Sequence, residues 1–253
     1  MPEERLLYVE GSERWMRGLL AGEAIVSSMR PRLVHESGRL PVLYFPGADV
    51  LSEALRPSER TEQDELKGSA RFWSLQVGER GVEDAAWSFD HPQLEGLIAF
   101  RWDALDEWLE EDEVAVKHPR DPYHRVDVRS SSRHVQVSIQ GMALAESRRT
   151  RILFETGLPL RFYFPPEDVR QDTFVRSDRR TACAYKGEAS YWSVRVGEDV
   201  EADLAWTYHE PLHEAAQVRD WLAFYNERVD VDVEGERWER PRTPWSRPPG
   251  HRS

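Results

Sequence analysis

Two stretches of the chain repeat one another, and this repeat limits the possible fold more than any other sequence feature. Residues 22–92 and residues 141–211 align without a gap at a spacing of 119 residues, with 26 identities in 71 positions. Beyond this stretch the second copy is five residues longer before the two sequences match again. A period of this length is too long for one unit of a solenoid, so each copy is expected to fold as a domain.

The two copies predict the domain organisation of the 253-residue chain. The first domain is expected to cover residues 1–121 and the second residues 122–235, joined through a charged, proline-containing linker. Each is long enough to bury a core of its own. Residues 236–253 are rich in arginine and proline, a composition that predicts a disordered tail.

Short alternating patterns inside each copy predict strands. Residues 135–139 alternate between apolar and polar side chains, and Gln140–Gly141 is typical of a hairpin turn. Similar short patterns recur in the second copy at residues 151–154, 161–164, 190–196 and 202–208. Helical patterns are confined to residues 103–111 and 213–221. We therefore predict a mostly β protein, in which a small antiparallel, twisted-sheet or barrel-like domain with few short helices occurs twice in tandem.

Composition excludes several classes of protein. The net charge of -12 disfavours a nucleic-acid partner, because such a surface repels phosphate backbones. A single cysteine provides neither a disulfide nor a Cys₄ or Cys₂His₂ zinc site, so no metal site is predicted. The chain starts with acidic residues rather than a signal peptide and has no apolar run of roughly 20 residues. We expect a soluble, cytoplasmic protein without a membrane partner, and the sequence leaves its oligomeric state and any cofactor open.

Residues that are identical in both copies are the candidates for a functional site. Four matching charged positions cluster around the predicted strand ends, namely Arg30 with Arg149, Glu36 with Glu155, Asp49 with Asp168, and Lys67 with Lys186, and Arg32 matches Arg151 as well. Aromatic positions match as well, among them Tyr44 with Tyr163 and Trp87 with Trp206. One interpretation is a pocket with aromatic walls, in which the arginine and lysine bind an anion and the carboxylates move protons. The alternative is structural: ion pairs that join strand ends, with tryptophans in the core.

Cys183 differs between the copies. It precedes Lys186 by three residues, and a nearby ammonium group can lower the pKa of a thiol and make it nucleophilic. The first copy has Asp64 at this position. An inert, partly buried cysteine is the alternative interpretation. The Lys186–Gly187 pair does not belong to a phosphate-binding P-loop, since the glycine-rich pattern and the following helix are missing.

Several uncommon sequence segments in this chain resemble those of a bacterial family, domain-of-unknown-function family 427, in its tandem form. The segments are AESRRTRILFETGLPLRFYFPPEDV, TACAYKGEASYWSV, LAWTYHEP and the linker HPRDPYHRVDV. The resemblance covers nearly all of the chain except the C-terminal tail. It implies a compact, β-rich, tent-like domain, and the family sometimes carries a nucleotidyltransferase-type label.

The family pattern T-x-C-P-Y-K-G matches the second copy at five of its positions, Thr181, Cys183, Tyr185, Lys186 and Gly187, with Ala184 in place of the proline. The first copy lacks the Thr, Cys and Tyr. If this segment forms the site, the resemblance implies that the second copy is functional and the first degenerate.

Three functional hypotheses follow. The first is a small-molecule-binding or enzyme-like pocket in the second copy, and whether it is catalytic stays open. Its candidate catalytic residues are Glu155, Asp168, Cys183 and Lys186, and its candidate ligand-binding residues are Arg149, Tyr163, Tyr185 and Trp206, with Arg30, Glu36, Asp49 and Lys67 as first-copy counterparts. The second is a non-catalytic protein-interaction module. The third is a nucleotidyltransferase, which needs carboxylates that hold Mg²⁺.

Overall fold

The structure, a computed structural model, describes residues 6–246. The chain divides into two compact units, Met1–Asp121 and Pro122–Ser253, which we call the first and the second repeat. Each is built almost entirely of antiparallel strands joined by turns and short 3-10 helices, and this confirms the predicted fold class. Among residues 6–246 no helix has the length and apolar character that crossing a bilayer requires.

The first repeat contains two sheets. Its strands are β1 (Leu7–Gly11), β2 (Met16–Leu20), β3 (Glu23–Ser28), β4 (Arg32–Glu36), β5 (Val42–Pro46), β6 (Leu55–Asp64), β7 (Gly68–Val77), β8 (Arg80–Phe89), β9 (Leu97–Phe100), β10 (Glu107–Glu110) and β11 (Glu113–Val114). The larger sheet has seven strands in the order β1-β4-β5-β9-β8-β7-β6, and the smaller has four in the order β11-β10-β2-β3.

The second repeat has the same topology. Its strands are β12 (Val126–Ser131), β13 (Val135–Ile139), β14 (Met142–Ser147), β15 (Thr150–Glu155), β16 (Leu158–Phe164), β17 (Phe174–Cys183), β18 (Gly187–Val196), β19 (Asp199–Tyr208), β20 (Leu222–Phe224), β21 (Asp230–Val233) and β22 (Glu236–Arg237). The larger sheet has the order β12-β15-β16-β20-β19-β18-β17 and the smaller β14-β13-β21-β22. The internal sequence repeat therefore corresponds to a repeated fold.

Each seven-stranded sheet has a different environment on each face, because neighbouring side chains of a strand point in opposite directions. In β5, Phe45 packs into a core shared with Leu20 and Ile25 of the four-stranded sheet. Its neighbour Tyr44 belongs to a smaller apolar cluster that also contains Trp87. We call the face that carries Tyr44, and Tyr163 in the second repeat, the outer face of the large sheet.

Local sequence signals account for most of the strand pattern. The predicted turn at Gln140–Gly141 connects β13 to β14, and both residues have positive φ angles, 50° and 81°. A two-residue hairpin turn of this kind needs two such residues, and glycine adopts that conformation without strain. The strands predicted around 135–139, 151–154, 161–164, 190–196 and 202–208 are all present.

The predicted helix at residues 103–111 is wrong. A 3-10 turn at Trp102–Ala104 is followed by strand β10, in which Trp108 is 3% exposed and packs into the core. Burying that indole between the sheets outweighs the weak helical propensity of the segment. The second predicted helix, at residues 213–221, is present as a 3-10 helix at His213–Val218.

The structure corrects the predicted disordered tail for residues 236–246. Glu236–Arg237 form β22 against β21, where Arg237 pairs with Asp230 and Asp232. Trp238 packs against the core of the second repeat. The average composition of the tail concealed these contacts, because one hairpin and one indole suffice to fix a short segment. The remainder of the predicted tail, residues 247–253, lies outside the described residues.

Candidate functional site

The matched charged residues form two separate groups in each repeat. One group is an arginine–aspartate pair: Arg30 contacts Asp49 at 3.1 Å, and Arg149 contacts Asp168 at 2.8 Å. A serine hydroxyl donates to each aspartate, from Ser28 and from its counterpart in the second repeat, at 2.7 Å. Both arginines are mostly exposed, so each pair joins the loop after β3 or β14 to the 3-10 turn after β5 or β16.

These pairs hold their aspartates ionised. The hydrogen bonds from Arg30 and then from Ser28 lower the pKa of Asp49. Burial alone would raise the pKa of Asp168, but the hydroxyl and guanidinium bonds and the positive charge beside it outweigh burial and lower it. The environment around both carboxylates is that of a structural ion pair.

The second group lies at the other end of β4 and β15. Arg30 precedes β4 and Glu36 ends it, and a strand rises about 3.3 Å per residue. Glu36 therefore lies far from Arg30, and the structure places Arg149 and Asp168 at one end of the strand and Glu155 and Lys186 at the other. Sequence identity between the copies selected both groups, but only the strand direction separates them.

In the first repeat Lys67 is the centre of a buried charged cluster. Its Nζ lies 2.5 Å from Glu36 Oε2 and 3.2 Å from Asp64 Oδ2, and all three side chains are 10% exposed or less. Asp64 Oδ1 also accepts the backbone N–H groups of Leu66 and Lys67, each at 2.9 Å. Burial would raise the pKa of Asp64, but these hydrogen bonds and the charge of Lys67 together lower it. The aspartate that replaces Cys183 therefore gives Lys67 a second carboxylate.

This cluster forms one wall of a cavity of about 270 Å³ on the outer face of the first repeat. The other walls are aromatic and include Tyr44, Phe72, Trp87 and Phe89. Trp87 Nε1 donates to Tyr44 Oη at 3.1 Å, which fixes the two rings of the matched aromatic pair relative to each other. Lys67 Nζ lies 5.0 Å from the centre of the Phe89 ring, so the ammonium group also contacts the aromatic wall.

Sequence reasoning missed three residues that are also identical in both copies. Ser58 Oγ donates to Asp84 Oδ1 at 2.5 Å, and the guanidinium of Arg60 lies 3.7 Å from the same carboxylate and over the Phe72 ring. Asp84 has a positive φ of 47° beside a bulge between β7 and β8. Bulges of this kind redirect side chains near functional sites. The signal that could have revealed them was their identity with Ser177, Arg179 and Asp203.

The corresponding residues of the second repeat make the same ion pair with different neighbours. Lys186 Nζ contacts Glu155 Oε2, and His124 Nε2 lies 3.1 Å from the other carboxylate oxygen. The Tyr185 ring stacks on His124 at 4.0 Å between centroids. Cys183 ends β17, is partly buried, and pairs with Gly187, the residue that follows Lys186, across the β17–β18 hairpin.

Larger side chains pack into the outer face of the second repeat. Arg161 stands where the first repeat has Val42, and Tyr225 stands where it has Arg101. The guanidinium of Arg161 lies 5.6 Å from the Trp206 ring and 5.7 Å from the Tyr225 ring. Trp206 Nε1 donates to Tyr163 Oη at 3.0 Å, as in the first repeat. The two copies therefore share a scaffold but differ in how they fill this face.

Arg161 is held by a buried acid. Its guanidinium makes two hydrogen bonds, of 2.6 and 2.7 Å, to Glu227, whose side chain is fully buried. Burial would raise the pKa of Glu227, but the bonds and charge of Arg161 and a hydroxyl bond from Thr243 outweigh burial and lower it. Neither Arg161 nor Glu227 was among the sequence candidates, because neither residue is repeated in the first copy.

Burial of the matched tyrosines gives a prediction about alkaline pH. Burial raises the pKa of Tyr44 to about 12, above the ordinary value of about 10. The stabilisation from burying this neutral phenol is therefore complete below pH 10 and is lost as the pH rises through 12. In an absorbance titration of phenolate, Tyr44→Phe should remove one late-titrating phenol from the eight tyrosines. An unchanged late phase in Tyr44→Phe would contradict the assignment.

Among residues 6–246, no group of three or more histidine, cysteine or acidic side chains is placed to hold a metal ion.

Comparison with known proteins identifies the repeat unit. The model of one protein family, described as Domain of unknown function (DUF427), matches residues 8–111 and again residues 127–235. The two matches correspond to the two repeats, and the short name of the family is a nucleotidyltransferase label. The resemblance noted in the sequence is thus confirmed. No curated protein matches the chain.

Proposed function

We propose that this chain, a member of the DUF427 family through both of its repeats, binds a small aromatic anion in the cavity of its first repeat. The observation that carries the proposal is the cavity itself, in which aromatic walls meet a rim of arginines. Its volume of about 270 Å³ is slightly below the range typical of drug-sized ligands, so the proposed ligand is a small metabolite.

The aromatic walls support a planar ligand. Tyr44 and Trp87 are fixed by their mutual hydrogen bond, and Phe72 is 8% exposed. Rigid aromatic surfaces bind a flat ring by offset stacking or edge contacts at little cost in side-chain entropy.

The charges at the cavity support an anion. The four carboxylates that line the cavity all have cationic partners. Glu36 and Asp64 share Lys67, and Arg39 also lies 3.3 Å from Glu36. Asp84 accepts from Ser58 and pairs with Arg60, which also donates to Glu62. The rim arginines retain more donors, because a guanidinium group has five N–H groups. Arg60 donates to Glu62 at 3.2 Å, and Arg101 donates to Asp103 and to the Glu83 carbonyl. Their remaining N–H groups suit a carboxylate or phosphate.

The proposal assigns the site to the first repeat, whereas the family pattern around Cys183 suggested the second. The difference lies in side-chain size on one face. Val42 is replaced by Arg161 in the second repeat, and Phe72 and Phe89 are replaced by Tyr191 and Tyr208. A site on the first repeat needs no displacement of a buried ion pair, which favours it energetically.

Lysine-selective labelling provides a direct test. The chain contains three lysines: Lys67 in the cavity wall, Lys186 at the matching position, and Lys117 near the linker. A sample with isotope-labelled lysine therefore gives three backbone amide signals, one for each environment. Benzoate, indole-3-acetate and adenosine monophosphate serve as anionic probes, and benzamide, indole-3-acetamide and adenosine serve as their neutral counterparts.

The expected result is a saturable shift of the Lys67 signal with at least one anionic probe and a weaker shift with its neutral counterpart. If only adenosine monophosphate shifts the Lys67 signal, the bound anion is a nucleotide, and the nucleotidyltransferase alternative is favoured. Equal shifts at all three lysines, or none at Lys67 with any probe, would overturn the proposal.

Filling the cavity should abolish binding. Val42→Arg introduces the side chain that the second repeat has at this position, and we expect the Lys67 response to weaken by about tenfold or more, as a bulky group excludes the ligand ring. Val114→Arg is the matched control, because Val114 is 59% exposed in the four-stranded sheet. Titrations of both variants check this, and undiminished binding in Val42→Arg would show that the probe binds elsewhere.

A further inference from the structure

The end of the described chain lies against the outer face of the second repeat. We call residues 241–246 the closing segment. Its indole, Trp245, packs against the apolar cluster that contains Tyr163, Trp206 and Tyr225. The hydroxyl of Thr243 donates to Glu227 Oε1 at 2.7 Å. The segment thus contacts the same aromatic and charged side chains that distinguish this face from the first repeat.

The contact with Glu227 is specific in its chemistry. Glu227 is fully buried and uses both oxygens to hold Arg161, so a further donor must approach at a defined angle. A hydrogen bond to a buried carboxylate is stronger than one between neutral groups. At the corresponding position of the first repeat Asp103 is 77% exposed and pairs with Arg101.

The closing segment has a shape of its own. Pro244–Ser246 form a 3-10 turn in which Trp245 N–H donates to Thr243 Oγ1 and Thr243 N–H donates to Ser246 Oγ. Pro241 and Pro244 restrict the backbone before and within the turn. A peptide that is folded before it binds loses less entropy on binding, and proline-containing segments commonly bind to aromatic grooves.

The packing beside the start of the segment, at Pro241, is incomplete. A cavity of about 170 Å³ is lined by Leu160, Asn226, Trp238 and Pro241, among others, and both Thr243 and Trp245 remain partly exposed. A segment that is only partly buried opens more readily than the core.

We infer that the outer face of the second repeat is a peptide-recognition surface for a Thr-Pro-Trp sequence, which the chain's own residues 243–245 occupy. In this surface Glu227 recognises the threonine by accepting a hydrogen bond from its hydroxyl, and the aromatic cluster recognises the tryptophan by packing against its indole. The partner that this surface would bind is a peptide segment that contains the same three residues, Thr-Pro-Trp. This inference involves the second repeat alone and is independent of ligand binding by the first.

Displacement in trans tests the inference on the full-length chain. The probe is a fluorescent synthetic peptide with the sequence of residues 239–246, ERPRTPWS, followed by fluorescence polarisation. In the unaltered chain the tethered segment competes at an effective concentration on the order of 1 mM. The peptide should therefore bind to the Trp245→Ala chain at least about tenfold more tightly than to the unaltered chain.

Two controls make the result specific. A peptide with Trp245→Ala should not bind to the Trp245→Ala chain, and the Thr243→Val chain, which loses only the hydroxyl, should also gain peptide binding. Hydrogen exchange around Tyr225 should accelerate in both altered chains. Failure of both altered chains to bind the peptide, or equal binding by the unaltered chain, would overturn the inference.

Discussion

Replacing Glu227 with leucine is expected to lower the free energy of unfolding of the second repeat by about 3–5 kcal/mol, because the change leaves a buried charge without its partner. Arg161 is 7% exposed and directs two N–H groups at Glu227. Removing the carboxylate leaves the guanidinium among the Trp206 and Tyr225 rings. Cation–π contacts there recover only part of the lost interaction, on the order of 1–2 kcal/mol.

The first repeat provides a matched control for this variant. Asp103 corresponds to Glu227 by sequence, but it is 77% exposed and its partner Arg101 is 45% exposed. Exposed pairs contribute about 0–1 kcal/mol, so Asp103→Leu should have little effect. Calorimetry that resolves the unfolding of each repeat distinguishes the two outcomes. Equally mild effects in both variants would show that the Arg161–Glu227 pair contributes little.

A double variant separates the charge from the packing. Arg161→Val introduces the residue of the first repeat, and together with Glu227→Leu it removes both charges. Replacing a buried ion pair by apolar side chains is often close to neutral, so the double variant should be more stable than Glu227→Leu alone. If it were less stable than the single variant, the two side chains would act through packing instead.

The strands could be predicted because their signals are local. Alternation in residues 135–139 and the turn at Gln140–Gly141 depend only on neighbouring residues, and the structure contains both. The repeat then extends each assignment to the other copy. Trp108 was misjudged because its burial depends on a second sheet that local periodicity does not reveal.

The composition of the site was harder to predict because it depends on which strand ends meet. Glu36 and Lys67 are 31 residues apart, and they meet because β4 ends beside the β6–β7 turn. Arg30 and Asp49 belong to the opposite end of β4. Identity between the copies selects both pairs equally, so the sequence alone merged two groups that the topology separates.

The cavity depends on side-chain size at positions that differ between the copies. A comparison of the repeats for identical residues finds only what they share. Val42 and Arg101 line the cavity of the first repeat, and the second repeat has the larger side chains of Arg161 and Tyr225 at these positions. Asp64 was taken as a lost cysteine, although its carboxylate completes the environment of Lys67. Differences between copies were as informative about this site as identities.

Lys67→Met is expected to destabilise the first repeat by about 3 kcal/mol, because it removes the cation that two buried carboxylates share, while Arg39 stays 3.3 Å from Glu36. Glu36 and Asp64 are 8% and 10% exposed and lie 2.5 and 3.2 Å from Lys67 Nζ. Methionine keeps the length and apolar stem of lysine, so the change isolates the charge.

The other two lysines of the chain are its controls. Lys117→Met removes a lysine near the linker, outside the cavity, and should leave the first repeat as stable as before. Lys186→Met should cost less than Lys67→Met, because Lys186 pairs with one carboxylate and Lys67 with two. The glutamate keeps a second partner in both variants, His124 at 3.1 Å from Glu155 and Arg39 at 3.3 Å from Glu36. Chemical denaturation of the three variants gives the order. If Lys67→Met and Lys117→Met unfold at the same denaturant concentration, the buried cluster contributes no net stability.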